Sequence, residues 1–143
     1  MVWDKNNYYM LCFRNGYDDI VTYRLDKMEK VVVEEKEREY HSEYELFNTE
    51  EYRKQVFSMF GGESSRETLL FDKNMLSDIF DRFGDNVRIK KIDDHNFSVD
   101  VTVQVSKTFF SWIVGTQGKV KIKSPSKVLS EFTEFVNKIK ETY

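Results

Sequence analysis

Apolar residues in the first forty positions come in short runs separated by polar turns. Residues 8–13 form an aromatic-rich run, and residues 20–25 form a second one. Between them lies Asn15-Gly16, the dipeptide most typical of a two-residue hairpin turn. Residues 31–33, all valine, make a third run. The pattern predicts a β-hairpin followed by a third strand.

A polar, acidic stretch from Glu34 to Glu51 follows and predicts a connection between two domains. Near its end Asn48 precedes Glu51 by three positions, which resembles a capping box with an asparagine cap. The next apolar side chains recur at helical spacing, and a pair of glycines after them favours a helix end. They are Tyr52, Val56, Met59 and Phe60, followed by Gly61-Gly62.

Beyond residue 63 strands and helices alternate along the chain. Residues 68–71 predict a strand, and Asp72 or Asn74 can cap a helix over residues 75–83 that Gly84 ends. Residues 87–90 predict a second strand. Residues 97–105 alternate strictly between apolar and polar side chains, which is typical of a strand with one buried and one solvent-exposed face.

The remaining pattern predicts a short helix, a strand and a long amphipathic helix. Ser106 can cap the short helix, which carries Phe109, Phe110, Trp112 and Ile113. These are more aromatic rings than one helix face can bury, so part of this helix is expected to meet another domain or subunit. Against that, Phe109 and Ile113 are four positions apart, which is the spacing of ordinary core residues on one helix face. Ser124-Pro125 resembles a cap with proline at the first helical position. The apolar stripe beyond it comprises Val128, Phe132, Phe135, Val136 and Ile139.

The element order strand, helix, strand, strand, helix, strand, helix predicts an α+β domain of ferredoxin-like βαββαβ type with a C-terminal helix. In that topology the second and fourth strands lie at the sheet edges. Basic side chains there keep edge strands soluble, and the alternative is a basic rim that binds phosphates. Asp100 on the central strand opposes the alternative. The basic residues are Arg88, Lys90, Lys119, Lys121 and Lys123.

Composition narrows the classes of function. The net charge of −3 makes the chain as a whole a poor electrostatic binder of nucleic acid. The single cysteine, Cys12, excludes a disulfide within the chain and a thiolate zinc cluster, and its apolar surroundings predict a small buried side chain. No signal peptide and no apolar run long enough to span a membrane is present, so a cytoplasmic location is expected.

Candidate catalytic residues are few. His41 and His95 are the only histidines, and both lie in polar connecting stretches. Asp93-Asp94-His95 could suggest metal ligands, but consecutive residues point in different directions and a hairpin turn explains them. Phosphate-loop, nucleophile-elbow and zinc-protease motifs are missing from the sequence. We therefore expect a non-enzymatic protein without a metal or cofactor.

Tyrosines and one arginine gather on the predicted hairpin. Tyr9 and Tyr23 lie on its two strands, and Arg24 and Asp26 continue the second strand. An exposed strand surface of this composition suits stacking on a nucleotide and clamping of an anion. The alternative is an ordinary cross-strand aromatic pair with an Arg-Asp surface pair.

The same residues carry a resemblance to the WYL domain of bacterial transcriptional regulators. Tyr8-Tyr9-Met10 occupies the place of the Trp-Tyr-Leu triplet that names the family, and residues 23–28 match its Tyr-Arg-x-Asp-Arg/Lys-Met pattern. Further on, four segments look like the WYL carboxy-terminal extension, so the resemblance covers nearly the whole chain. They are residues 70–72, 81–84, 109–112 and 120–125.

The resemblance implies an SH3- or Sm-like barrel that senses a ligand, with an extension that helps dimerisation. Family ligands are nucleotide-like or nucleic-acid-like, which implies a pocket formed by Tyr8, Tyr9, Tyr23, Arg24 and Asp26. The sequence lacks the family's winged helix-turn-helix and its opening barrel strands, and Val21 stands where many relatives have arginine. The chain alone is therefore not expected to recognise a promoter. An incomplete barrel leaves an open edge, which predicts pairing with a second copy or a partner.

Together these features predict a partial WYL barrel over residues 1–36, an acidic linker and helix over 37–62, and a ferredoxin-like extension over 63–143. The expected function is the effector-binding and dimerising part of a WYL-type regulator. One alternative is a purely structural dimerisation module without a ligand. Another is nucleic-acid binding through the lysine-rich edge strands.

Overall fold

The computed structural model describes residues 1–13, 20–40 and 42–143 of the chain. The Asn15-Gly16 turn and His41 lie outside the described residues. The fold is mixed α+β, with one antiparallel sheet of three strands and one of four. The chain divides into a first unit, Met1–Arg53, and a second unit, Lys54–Tyr143. No helix in the described ranges is long and apolar enough to cross a membrane.

The first unit is built on a three-stranded antiparallel sheet in the order β1-β2-β3. A turn at Lys5 and Asn6, with φ of 43° and 66°, joins β1 to β2. The hairpin strands were predicted, whereas β1 was not, because three residues are too few to show a period. The strands are β1 (Val2–Asp4), β2 (Asn7–Phe13) and β3 (Ile20–Arg24), and the helices are α1 (Glu43–Leu46) and α2 (Thr49–Gln55).

The predicted third strand at residues 31–33 is wrong. These valines have no regular secondary structure, and their side chains are 72%, 79% and 93% exposed. Lys30 has a φ of 53°, which breaks the extended backbone just before them. Charged residues flank the run on both sides, so it has no alternating pattern with which to bury one face.

The asparagine cap of α2 is confirmed, but the helix is shorter than predicted. The Asn48 side-chain oxygen accepts hydrogen bonds from the backbone N–H of Glu50 at 2.9 Å and Glu51 at 3.2 Å. The helix ends at Gln55 rather than at Gly61-Gly62. Ser58 and Met59 take φ of 53° and 59°, and this left-handed turn replaces the last predicted helical turn.

The second unit has a four-stranded antiparallel sheet in the order β5-β6-β4-β7. The second and fourth strands of the unit, β5 and β7, lie at its edges, as the sequence predicts. The strands are β4 (Glu63–Asp72), β5 (Ile89–Lys91), β6 (Asn96–Val105) and β7 (Val120–Ser124), and the helices are α3 (Leu76–Phe83), α4 (Lys107–Gly115) and α5 (Ser126–Lys140).

Most predicted helix ends in the second unit are confirmed. The Ser106 hydroxyl accepts from the Phe109 N–H at 3.3 Å and caps α4. The Asp72 carboxylate accepts from the Asn74 N–H at 2.8 Å and caps the 3-10 turn Lys73–Met75 that leads into α3, whereas α3 itself has no side-chain cap. Gly84 follows α3 with a φ of 84°. The cap predicted at Ser124 is wrong, because Ser124 is the last residue of β7 and no side chain caps α5.

The aromatic side chains of α4 make ring contacts within the second unit, and Phe109 and Phe110 are buried there, so these two rings are not left to meet another domain. Phe110 contacts the rings of Phe132 and Phe135 on α5, with centroids 5.6 Å and 5.5 Å away. Trp112 packs against Phe57, with ring centroids 5.3 Å apart. Phe57 lies in the turn after α2 and reaches the core from there. The sequence could not show that this turn supplies a ring.

Glu67 breaks the apolar pattern of the core. It lies on β4 with Leu69 and Phe71 on the buried face of the sheet, and its side chain is fully buried. Neither carboxylate oxygen has a hydrogen-bond partner of ordinary geometry. Burial raises the pKa of Glu67, Ser65 opposes the rise, and the charge of Glu131 on α5 adds to it. The core of the second unit therefore contains a buried carboxyl group that no positively charged side chain among the described residues neutralises.

Replacing Glu67 with methionine, an apolar side chain of similar length, is expected to raise the free energy of unfolding by about 1–3 kcal/mol at about pH 7. The pKa of Glu67 is raised in the folded protein, so the unfolded chain loses this proton at a lower pH than the folded protein does. The unmodified protein therefore becomes less stable as pH rises towards the folded-state pKa, whereas the methionine variant does not lose this stability. The gain in Glu67→Met should thus be larger at about pH 8 than at about pH 4. Urea unfolding at both pH values measures it.

Glu134→Met, at an exposed position of α5, is the matched control and should show no pH-dependent gain. An equal gain in Glu67→Met at both pH values would contradict the raised pKa.

Candidate functional site

The register of the first sheet decides which predicted site residues share a face. Tyr9 pairs with Val2 on β1 and with Arg24 on β3, so these three side chains lie on one face. Tyr8 pairs with Trp3, and Met10 with Tyr23, which places these four on the opposite face. Neighbouring positions on a strand point to opposite sides, so Tyr8 and Tyr9 cannot share a face.

The first of these faces is the buried one. Tyr9 is 9% exposed. Further along the same face, the Phe13 ring lies 5.1 Å from the ring of Tyr44, and the hydroxyls of Thr22 and Tyr52 lie 3.3 Å apart. Residues from α1 and α2 thus cover this side of the sheet.

The opposite face carries exposed aromatic side chains, and we call it the aromatic face. Trp3 is 49% exposed, Tyr8 55%, Met10 39% and Tyr23 36%. The Trp3 and Tyr8 rings meet edge to face, with centroids 4.6 Å apart and planes at 63°. Cross-strand neighbours on a sheet are about 5 Å apart, so the four side chains form one continuous surface.

Arg24 is held at the sheet margin by two neighbours. Its guanidinium donates two hydrogen bonds to the Asp26 carboxylate, at 3.0 Å and 2.8 Å, and one to the Asn7 side-chain oxygen at 2.8 Å. The hydrogen bond to Asp26 raises the pKa of Arg24, and the same bond lowers the pKa of Asp26. This ion pair already satisfies much of the positive charge that an anionic ligand would use.

The five residues of the predicted pocket are therefore divided between two faces. Tyr8 and Tyr23 lie on the aromatic face, whereas Tyr9 and Arg24 lie on the other, with Asp26 bound to Arg24. Trp3 and Met10 join the aromatic face, and the sequence reasoning did not select either as a site residue. The signal that could have found them is the alternation of Tyr8 and Met10 on β2 together with an aromatic residue on a facing strand.

Cys12 lies on the aromatic side of β2, opposite Val21. It was expected to be buried, and it is half-buried, with its sulfur 3.7 Å from the Val21 carbonyl oxygen. Partial burial raises the pKa of the Cys12 thiol, so little reactive thiolate forms at neutral pH.

The predicted basic surface lies on the exposed face of the second sheet and at its margins. Lys90 pairs with Ser98, Ser98 with Leu70, and Leu70 with Lys121, so the two lysines share one row across four strands. Three inter-strand steps separate them, roughly 14 Å. Lys121 and Lys123 lie on β7, Lys119 just before it, and Arg88 just before β5.

An acidic side chain interrupts the basic surface. The carboxylate of Asp100 on β6 accepts a hydrogen bond from Thr68 at 2.7 Å and lies 3.7 Å from the Arg66 guanidinium. The exposed lysines therefore lack a continuous positive track across the middle of the sheet.

The turn between β5 and β6 is a structural turn. The Asp93 carboxylate accepts from the backbone N–H groups of His95 and Asn96, both at 2.8 Å. These hydrogen bonds and those from the Asn96 side chain lower the pKa of Asp93. Within the described part of the chain, no group of three or more histidine, cysteine or acidic side chains is arranged to hold a metal ion.

Comparison with known proteins finds neither a family model nor a curated protein that matches the chain.

The two-face arrangement predicts unequal losses of stability on alanine substitution. Tyr9→Ala removes a buried aromatic ring and should lower the free energy of unfolding by roughly 3 kcal/mol or more. Tyr8→Ala and Tyr23→Ala remove exposed rings and should cost about 1 kcal/mol or less. Urea unfolding of the three variants measures the difference. Similar losses in all three would contradict the assignment of faces.

Proposed function

We propose that this chain is a non-enzymatic regulatory module that binds a planar, nucleotide-like effector on the aromatic face of its first unit. The observation that carries the proposal is that Trp3, Tyr8 and Tyr23 are all exposed on one side of one small sheet. Exposed aromatic rings on adjacent strands form a platform on which bases stack. Met10 completes the surface with a flexible apolar side chain.

Stacking rather than charge supports the choice of ligand. The net charge of −3 gives no general attraction for a polyanion, and Arg24 is already paired with Asp26. Base stacking on aromatic side chains contributes about 1–3 kcal/mol per base and tolerates any base. Short single-stranded nucleic acids and nucleotides are therefore the ligands that this surface fits best.

We further propose that the second unit is a ferredoxin-like domain that corresponds to the WYL carboxy-terminal extension. Its elements follow the order βαββαβ with a closing helix, and the second and fourth strands lie at the edges of the antiparallel sheet. The motif at residues 70–72 lies on β4, and the motif at 120–125 comprises all of β7 and the residue after it; the two strands are adjacent in that sheet. In this proposal the chain is the sensing part of a cytoplasmic WYL-type regulator.

Fluorescence titration with a short single-stranded oligothymidine tests the ligand. Trp3→Ala, Tyr8→Ala and Tyr23→Ala should each weaken binding by about fivefold to 150-fold, the equivalent of 1–3 kcal/mol. Binding through stacking should also depend weakly on salt, because few phosphates are neutralised. Fluorescence anisotropy of a labelled oligonucleotide at two salt concentrations measures both effects.

Tyr143→Ala removes a fully exposed tyrosine that does not belong to the aromatic face and serves as the control. If Lys90→Ala and Lys121→Ala abolish a strongly salt-dependent binding that the aromatic substitutions leave intact, the site is the basic edge surface instead. If Arg24→Ala abolishes oligothymidine binding and the aromatic variants retain it, the site lies on the face that carries Arg24. Lack of binding by the unmodified chain would leave only a structural role.

A second candidate function, pairing with another copy of the chain, has its own support. Val31, Val32 and Val33 are almost fully exposed although valine is a strong strand former. The first sheet is open, with β1 and β3 as its edges. Open edges and an exposed apolar segment favour the addition of a strand from a second molecule.

Pairing through the valine segment predicts a dimer in solution that Val32→Lys dissociates, because a charged side chain cannot be buried in a strand interface without a partner. Light scattering across a range of protein concentrations measures the mass. Val114→Lys, at an exposed valine of α4, should leave the mass unchanged. A monomer at every concentration would rule out this pairing.

A further inference from the structure

The second unit contains a cleft that the proposed function does not use. It lies where the turn after α4 approaches the start of α3, and its volume is about 480 Å³. This is within the size range of sites for small molecules, roughly 300–1,000 Å³. The aromatic face belongs to the first unit, so the cleft is a separate candidate.

The walls of the cleft are held by backbone and ring contacts. The Thr116 hydroxyl donates to the Ile113 carbonyl at 2.7 Å and accepts from the Val120 N–H at 3.2 Å. Lys119 donates its N–H to the Thr116 carbonyl at 3.1 Å, and its own carbonyl accepts from the Asp72 N–H at 2.9 Å. The turn that carries Lys119 is therefore fixed at both ends, which is typical of a preformed site.

Two opposite charges line this cleft without a partner in the described part of the chain. Asp78 is in the first turn of α3, and Lys119 ends the turn after α4. Both side chains are exposed, and neither makes a hydrogen bond or an ion pair with any side chain in the described ranges. A carboxylate and an ammonium that face one cleft but are not bound to each other are available to a ligand.

Part of the wall between these charges is apolar, and the exposed polar side chain of Gln117 also lines the cleft. Trp112 and Met75 line the cleft, and the indole of Trp112 is held from behind by Phe57 at 5.3 Å and Phe83 at 5.8 Å. An indole face and a thioether bind apolar or aromatic groups through dispersion and ring contacts.

We propose that this cleft binds a zwitterion with an apolar side chain, of the chemical class of the neutral α-amino acids. Asp78 takes the ammonium group, Lys119 takes the carboxylate, and Trp112 with Met75 contacts the side chain. An anion alone is repelled by Asp78 and a cation alone by Lys119, whereas a zwitterion satisfies both charges. The charge pair therefore disfavours a phosphate, which the aromatic face of the first unit would tolerate.

The chain has two tryptophans, so a Trp3→Phe protein reports on Trp112 alone. In that protein we expect millimolar L-phenylalanine to change the Trp112 fluorescence, because phenylalanine itself does not absorb where tryptophan is excited. Phenylpropanoate, which lacks the ammonium group, and phenethylamine, which lacks the carboxylate, should bind at least about tenfold more weakly.

Substitution of each charge should invert the preference among these probes. Asp78→Asn should weaken the binding of L-phenylalanine about tenfold and strengthen the binding of phenylpropanoate, because the repulsion between Asp78 and the carboxylate of the probe is removed. Lys119→Gln should weaken the binding of L-phenylalanine by a similar factor and strengthen the binding of phenethylamine. A merely structural role for either residue would shift all three affinities in the same direction. Asp85→Asn and Lys123→Gln, two exposed charges that do not line the cleft, should leave them unchanged.

The proposal is overturned if L-phenylalanine leaves the fluorescence of Trp112 unchanged at millimolar concentrations. It is also overturned if all three probes bind alike, or if the two charge variants do not shift the preference in opposite directions. Thermal unfolding of each variant shows whether it is folded, and the expected effects are judged on variants that unfold as the parent does. Oligothymidine binding by Asp78→Asn should stay unchanged, so this test is independent of the function proposed for the first unit.

Discussion

The proposed binding surface depends on one constraint, the antiparallel pairing of the first sheet at a fixed register. In a pleated sheet a side chain shares a face only with every second residue of its own strand and with its direct cross-strand partners. This rule separates Tyr8 from Tyr9 and sends Arg24 to the covered side. It also assembles Trp3, Tyr8, Met10 and Tyr23 from three strands into one surface. A shift of one residue would exchange the two sets.

Periodicity made the second unit predictable and left most of the first unit open. The alternation over residues 97–105 identifies β6, and Ser106 and Gly84 mark the start of α4 and the end of α3, because these signals are local. The order of the elements then gave the edge strands. Strand β1 and the end of α2 were missed because three-residue strands and left-handed turns carry almost no signal in one sequence. Residues 31–33 show the opposite error, because a strand was predicted there and none forms. Valine favours strands, but this preference does not produce a strand without a neighbouring strand to pair with.

The candidate sites were predictable only in part, for the same physical reason. Residue types suited to stacking could be recognised at Tyr8 and Tyr23, but their common face depends on pairing across strands. The cleft beside Trp112 was out of reach, because Asp78 and Lys119 are 41 positions apart in the chain and meet only through the fold. Glu67 precedes the strand predicted at residues 68–71, and only the structure shows that β4 includes it and that its side chain is fully buried.

Phe57 has a practical consequence for dividing the chain. A fragment that begins at residue 63, where the sequence pattern of the extension starts, would lose the ring that contacts Phe83, Phe109 and Trp112. It would also lose the Phe57 carbonyl that accepts a hydrogen bond from Thr108 at 2.7 Å, and the Val56 carbonyl that accepts one from Arg82. The gap would lie beside the indole that lines the cleft. The smallest autonomous piece of this half of the chain therefore starts before the turn, near Lys54.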